Sequence, residues 1–278
     1  IHDCTGANDT PFNSIQAALN FASSGDQILV AGGSTLYENI VWRDIDNINL
    51  NGNWGEGETI IDGGDNGPVI TIEGKNASIS GFTITGGNYE TDMDVPADLG
   101  GGINVLNSNL TLSDLHITDN TGYIGGGVYV DASSTINLSN SLIDYNIAAA
   151  SGGGLSIAGV AILDSIDVSY NEGGNSGAIH FYYAQGEMSN SRISHNQGVY
   201  NSPGLYIHGV LSDEEGEPGL ILNHVEISNN IGDHQVNIIS GTSPSTANIV
   251  DLNNVTIVAD PEIPGLVSGI QISGLVSN

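Results

Sequence analysis

"LSNSLIDYN", Leu138 to Asn146, returns 25 residues later as "LDSIDVSYN", Leu163 to Asn171, and 25 residues after that as "MSNSRISHN", Met188 to Asn196. Upstream and downstream stand "LSDLHITDN" from Leu112 and "LNHVEISNN" from Leu222, with weaker outer copies "ISGFTITGG" from Ile79 and "LNNVTIVAD" from Leu252. Successive starts step by 33, 26, 25, 25, 34 and 30 residues. Within a copy the apolar residues Leu112, Leu115 and Ile117 alternate with Ser113, Asp114 and His116. That is the two-residue period of a strand, so helices are not the repeating element. Between the nine-residue units a second segment recurs as "GGGINV", "GGGVYV", "GGGLSI", "SGAIHF", "SPGLYI" and a degenerate "HQVNII". A period near 25 that holds two or three short strands and Gly/Asn/Ser turns is the signature of a solenoid.

The expected fold is therefore all-β: a single parallel β-helix over residues 1–278, with an N-terminal cap at 1–25 and coils from 26 to 278. At about 4.8 Å per coil, roughly eight to ten coils make a rod on the order of 40 to 50 Å long. Inserted loops fall between units near 88–98, 211–219 and 241–248, where a solenoid tolerates them. In the cap, Thr10 before Pro11 starts an amphipathic helix that carries Ile15, Ala18, Leu19 and Ala22 on one face and stops at Gly25.

Composition narrows the partners. Three Lys+Arg against 32 Asp+Glu give a formal charge of -29, which repels nucleic acid and anionic membrane surfaces. No stretch approaches 18 uninterrupted apolar residues, so no membrane insertion is expected. The single cysteine, Cys4, excludes an internal disulfide framework. The chain starts at Ile1 without a Met, as a processed secretory protein would, and the expected location is extracellular or at the cell surface.

Beside these residue-level readings stands a resemblance. "SIQAALNFASSGDQILVAGG" followed by "YENI" resembles the opening of secreted right-handed parallel β-helix proteins, the pectin-lyase-like superfamily. "IDYN" followed by "GGGL" is similar to the repeats of chlamydial polymorphic outer membrane proteins, with Ile or Val in place of their usual Phe. The resemblance implies a right-handed helix. It leaves lyases, hydrolases, adhesins and surface proteins all open as functions. The lyases of that group use an Arg or Lys base, often beside calcium, and the hydrolases use paired aspartates.

Neither set is recognisable here. Of Arg43, Lys75 and Arg192, the last falls between the outward Asp167 and Glu226 of neighbouring coils, as a charge-paired ladder. The Asn-Thr-Asp, Gly-His-Gly and Arg-Ile-Lys motifs of the hydrolases are missing, and no catalytic residue is assigned.

Three constellations remain. Asn120, Asn146, Asn171, Asn196 and Asn230 close successive units, and their stacked amides form a structural ladder. The glycines before each following strand, such as Gly125 to Gly127 and Gly152 to Gly154, permit positive φ at that corner. Tyr145, Tyr170 and His195 share one outward repeat position, and Tyr129 and Tyr206, with His180, form a second outward line. Either line serves as a side-chain ladder or as contact for a glycan or other partner. Asp92, Asp94 and Asp98 in the first inserted loop suit Ca²⁺, the only cofactor suggested; Asp213, Glu214, Glu215 and Glu217 crowd another loop.

The C-terminal "PGLVSGIQISGLVSN" is strand-like with no polar stop, which predicts a homo-oligomer or polymer built through the last coil. The expected function is a non-enzymatic structural or adhesive extracellular protein, able to assemble end to end. A polysaccharide-active enzyme or a carbohydrate-binding module is the alternative.

Overall fold

The computed structural model describes residues 11–54, 57–88, 100–200, 202–211, 219–239, 250–258 and 269–273. It is a parallel β-solenoid. One coil is represented by Thr135–Ser139, Leu142–Asp144, Ile147–Ser151 and Leu155–Ile157, and the next begins at Val160–Asp164. The first, second and fourth of these segments belong to three long ladders, called here first, second and third. The segment at Ile147–Ser151 belongs to a short ladder between the second and the third.

Every strand pairing is parallel and joins one coil to the next; Leu138, for example, lies opposite both Leu112 and Leu163. Among the described residues the second ladder has nine strands, hence eight coil-to-coil steps, and the short ladder has four. At about 4.8 Å per step the stack rises about 38 Å. Ile179–Ser189 runs straight through a corner and pairs in both the first and the third ladders. The two therefore fuse into one 17-stranded sheet.

The repeat becomes the core through register. Leu112, Leu138, Leu163, Met188 and Leu222 stack in one column, and Ile117, Ile143, Val168, Ile193 and Ile227 in another. Val130, Ile157, Phe181, Ile207 and Ile238 form a third. Nearly all are fully buried, and each contributes roughly 1.5–3 kcal/mol of transfer free energy. A slip of one residue would turn a column out to solvent, so the alternation fixes the register.

The N-terminal helix is shorter than the sequence suggests. It runs Ile15–Phe21 and is capped by Ser14, whose hydroxyl accepts from Ala17 N–H at 3.1 Å. The start is displaced from Thr10 because the Glu38 carboxylate accepts from the N–H groups of Ile15 (2.8 Å) and Gln16 (3.0 Å), which satisfies the first orphan donors at that point. Ile15, Ala18 and Leu19 are buried against the first coils, as the apolar spacing requires. At the other end Ile270–Ser273 pairs with Val236–Ile239; the rest of the C-terminal segment implicated in polymerisation lies outside the described residues.

The three glycines of Gly125 to Gly127 have three different jobs. Only Gly125 and its equivalent Gly152 have positive φ, +70° and +68°. A Cβ on Gly126 would sit 2.5 Å from the carbonyl oxygens of Gly153 and Ile147, so the middle glycine lets adjacent coils approach. A Cβ on Gly127 would sit 3.1 Å from Asn146 Nδ2, and one on Gly154 3.2 Å from Asn171 Nδ2. The third glycine thus makes room for the amide of the following coil, and a Cβ on Gly127 would also meet the Gly154 carbonyl oxygen at 2.7 Å. The expectation that all three serve positive φ is corrected accordingly.

Candidate functional site: the corner stack and its surroundings

Between the second and short ladders the chain turns through one residue in the left-handed region: Asp119, Tyr145, Tyr170, His195 and Asn229, with φ between 52° and 59°. Each of the asparagines follows that residue and points inward. Asn120 donates from Nδ2 to Asn146 Oδ1 at 3.0 Å, Asn146 to Asn171 at 3.0 Å, Asn171 to Asn196 at 3.0 Å, and Asn196 to Asn230 at 2.9 Å. The backbone N–H of each donates to the same oxygen on the next coil, for Asn171 at 2.9 Å. The ladder forms as expected, fully buried.

Its end was not foreseen. Asn230 donates to Gln235 Oε1 at 2.9 Å, and Gln235 Nε2 returns to the Asn230 carbonyl at 2.7 Å. Gln235 occupies the register position of Gly204, the third-glycine position of the repeat. Its side chain fills the space that glycine leaves elsewhere and replaces the amide of a further coil. The signal was present in "HQVNII", where the glycine gives way to an amide.

A tyrosine in the left-handed region costs on the order of 1 kcal/mol or more, and two stand there on consecutive coils, followed by His195. What they gain is contact with each other. Tyr145 and Tyr170 stack with centroids 5.3 Å apart and planes 10° apart; Tyr170 and His195 stack at 5.0 Å and 18°. Parallel rings in van der Waals contact at about 3.5 Å must then be slid sideways by about 4 Å, the offset geometry aromatics prefer. They overlap like shingles, and part of each face stays open: Tyr145 is 53% and Tyr170 49% exposed.

The adjoining short ladder and the residues flanking it add exposed Tyr123, Ile147, Val199, Tyr200 and Ile231. Seven large apolar side chains thus share one side of the rod. Asp119 and Glu172 lie exposed beside them.

The second outward line differs from expectation. Tyr129, His180 and Tyr206 alternate with inward neighbours, yet His180 is 9% and Tyr206 7% exposed, and Tyr129 is half-buried. His180 stacks on Tyr206 at 4.9 Å and 24°, and both belong to a wider ring cluster with Tyr182, Tyr183 and His208. Among the described residues neither ring nitrogen of His180 has a hydrogen-bond partner. Burial, and secondarily the nearby His208, hold its pKa down to about 4. Burial raises the Tyr206 phenol, and burial with the charge of Asp131 raises that of Tyr129.

A shallow groove follows the corner between the first and second ladders. Its larger part, 660 Å³, is lined by Asn140, Ser165, Asp167, Asn190, Arg192 and Glu226, among others. Arg192 lies in register between Asp167 and Glu226, with Nη1 3.7 Å from Asp167 Oδ2. The smaller part contains His116, whose Nε2 is 2.8 Å from Asp144 Oδ1. Asp164, at the edge of the first ladder, has its carboxyl held below the usual range by hydrogen bonds from Ser189, Asn190 and Ser165.

Asp92, Asp94 and Asp98, and the acidic loop from Asp213, lie outside the described residues. Among the described residues no group of three or more His, Cys, Asp or Glu side chains is placed to hold a metal ion. Among the described residues no helix is long and apolar enough to cross a membrane. Comparison of the chain with protein-family profiles, with curated proteins and with solved structures finds no match. Fold and site define it as a parallel β-solenoid with an amide-laddered core and an exposed aromatic side.

Proposed function

We propose that this chain is a non-catalytic adhesive solenoid of an extracellular surface, and that its aromatic side is the contact face for a glycan. The observation that carries this reading is the Tyr145–Tyr170–His195 stack: strained backbone on three consecutive coils holds three stacked rings, of which the two tyrosines are half open to solvent and His195 is partly buried. Backbone strain retained at an exposed site is a pointer to function. Open ring faces at coil spacing match the apolar C–H faces of successive sugar units, while Asp119 and Glu172 beside them accept from hydroxyls. An exposed apolar patch rimmed by polar groups is what a binding face looks like.

The test is a glycan array followed by calorimetry on any hit, with Tyr145→Ala and Tyr170→Ala. Each variant is expected to weaken binding at least tenfold, about 1.4 kcal/mol, with the fold intact by circular dichroism. Binding that survives both substitutions unchanged, or no glycan bound at all, would overturn the proposal.

A further inference from the structure

The ring cluster on the third face contains a group that the adhesive reading does not use. His180 projects away from the core between inward Ile179 and Phe181, yet is buried. A neutral imidazole carries one donor and one acceptor, and here both nitrogens are buried without a partner. The groups packed around it are Tyr182 on its own strand, Tyr206 and His208 on the next coil, and Ser156 opposite it on the preceding coil. Its surroundings are therefore aromatic or hydroxylic, with a second imidazole on the far side of Tyr206. Among the described residues no carboxylate is hydrogen-bonded to it.

We infer that His180 is an acid-sensitive latch: on protonation its ring leaves the stack on Tyr206, and this patch of the third face opens. The neutral ring can lie against Tyr206 at little cost, because burial of its apolar edges offsets two weak orphaned atoms. An imidazolium in the same place has two N–H donors and a full charge with no acceptor, and a buried unpaired charge is not tolerated. Moving out to water satisfies both donors. The nearby His208 adds a coulombic push against a charge on His180.

The sign follows from the depressed value. A histidine near 6.5 when exposed and about 4 when stacked takes up its proton preferentially in the open form. The closed form is thus fully favoured above pH 6.5 and loses ground as pH falls toward 4. Between pH 7 and pH 4 the open form gains roughly 100-fold on the closed one.

The experiment follows the full-length chain by hydroxyl-radical footprinting of Tyr206 and Tyr182 at pH 7 and pH 4, with an NMR titration of the histidine ring protons. Tyr206 is expected to become several-fold more reactive at pH 4, with His180 titrating well below 6.5. His180→Phe keeps a ring to stack but cannot take a proton, and should hold Tyr206 protected at both pH values. Equal exposure of Tyr206 at pH 4 in His180→Phe and in the parent would overturn the inference. So would a His180 that titrates near 6.5 without change at Tyr206. Should His180→Phe fold poorly, His180→Leu with the same footprint serves in its place.

Discussion

Replacing Asn171 by Ala tests whether the buried amide ladder holds the coils together. Asn171 Nδ2 donates to the carbonyls of Ile143 (2.9 Å) and Ser169 (3.0 Å) and to Asn196 Oδ1 (3.0 Å). Its Oδ1 accepts from Asn146 N–H (2.9 Å) and Nδ2 (3.0 Å). Truncation removes all five bonds at a fully buried site. The Asn146 N–H loses its acceptor, and each buried group left unpaired costs about 1–3 kcal/mol. Asn146 Nδ2 keeps its bonds to the Ile117 and Asp144 carbonyls, which limits the sum. The expected loss is about 3 kcal/mol, near a 1 M fall in the urea midpoint for a slope of about 3 kcal/mol/M.

Asn171→Asp sharpens the test. Its carboxylate still accepts from Asn146, but it faces the Ile143 and Ser169 carbonyls and Asn196 Oδ1, all acceptors. The folded state should therefore favour the protonated acid and raise its pKa. Asn171→Asp is then worse than Asn171→Ala at pH 7 and recovers as pH falls toward 4. Urea titrations at both pH values, read by circular dichroism, decide the matter. A midpoint within 0.3 M of the parent for Asn171→Ala, or an Asp variant indifferent to pH, would refute the reasoning.

Tyr170→Gly relieves the left-handed strain, about 1 kcal/mol, and loses two stacking contacts of about 0.5–1.5 kcal/mol each; its urea midpoint should move little while glycan binding drops at least tenfold. Gly153→Ala drives a methyl group into the carbonyls of Gly177 and Glu172, and should cost about 3 kcal/mol or more, seen as lost soluble yield or a collapsed melting temperature. Gly74→Ala, at φ +67° but with open space around it, should cost only about 1 kcal/mol in the same assay. Arg192→Ala breaks a half-exposed pair with Asp167 and should change stability by less than about 1 kcal/mol, an effect that shrinks further in high salt.

The coil architecture was legible because the same residues do the same work in each repeat. Leu138 or Ile143 can be assigned to the core from alternation alone, and register then stacks the copies. The amide ladder was legible for a similar reason, since an invariant asparagine three residues past an inward Ile or Val has a fixed place in each turn. Alternation says only which side of the wall a residue leaves by. It placed His180 and Tyr206 outside the barrel correctly, but could not say that their rings would be buried against each other and against Tyr182. Nor does spacing report backbone handedness: Tyr145 and Tyr170 stand where Asp119 and Asn229 stand on other coils, and only those latter types advertise a left-handed turn. Gln235 escaped because the ladder's last amide comes from a different position of the repeat.

The direction of the ladders has a mechanical consequence. All main-chain hydrogen bonds between coils run along the rod, while the covalent chain winds around it. Tension applied from end to end therefore falls on one coil boundary at a time, and coils should peel away in sequence at modest force. A load that enters sideways through the Tyr145–Tyr170–His195 corner is shared by three coils at once and is carried by peptide bonds bending around the barrel. An attachment made on the flank of such a rod resists pulling far better than one made at its tip.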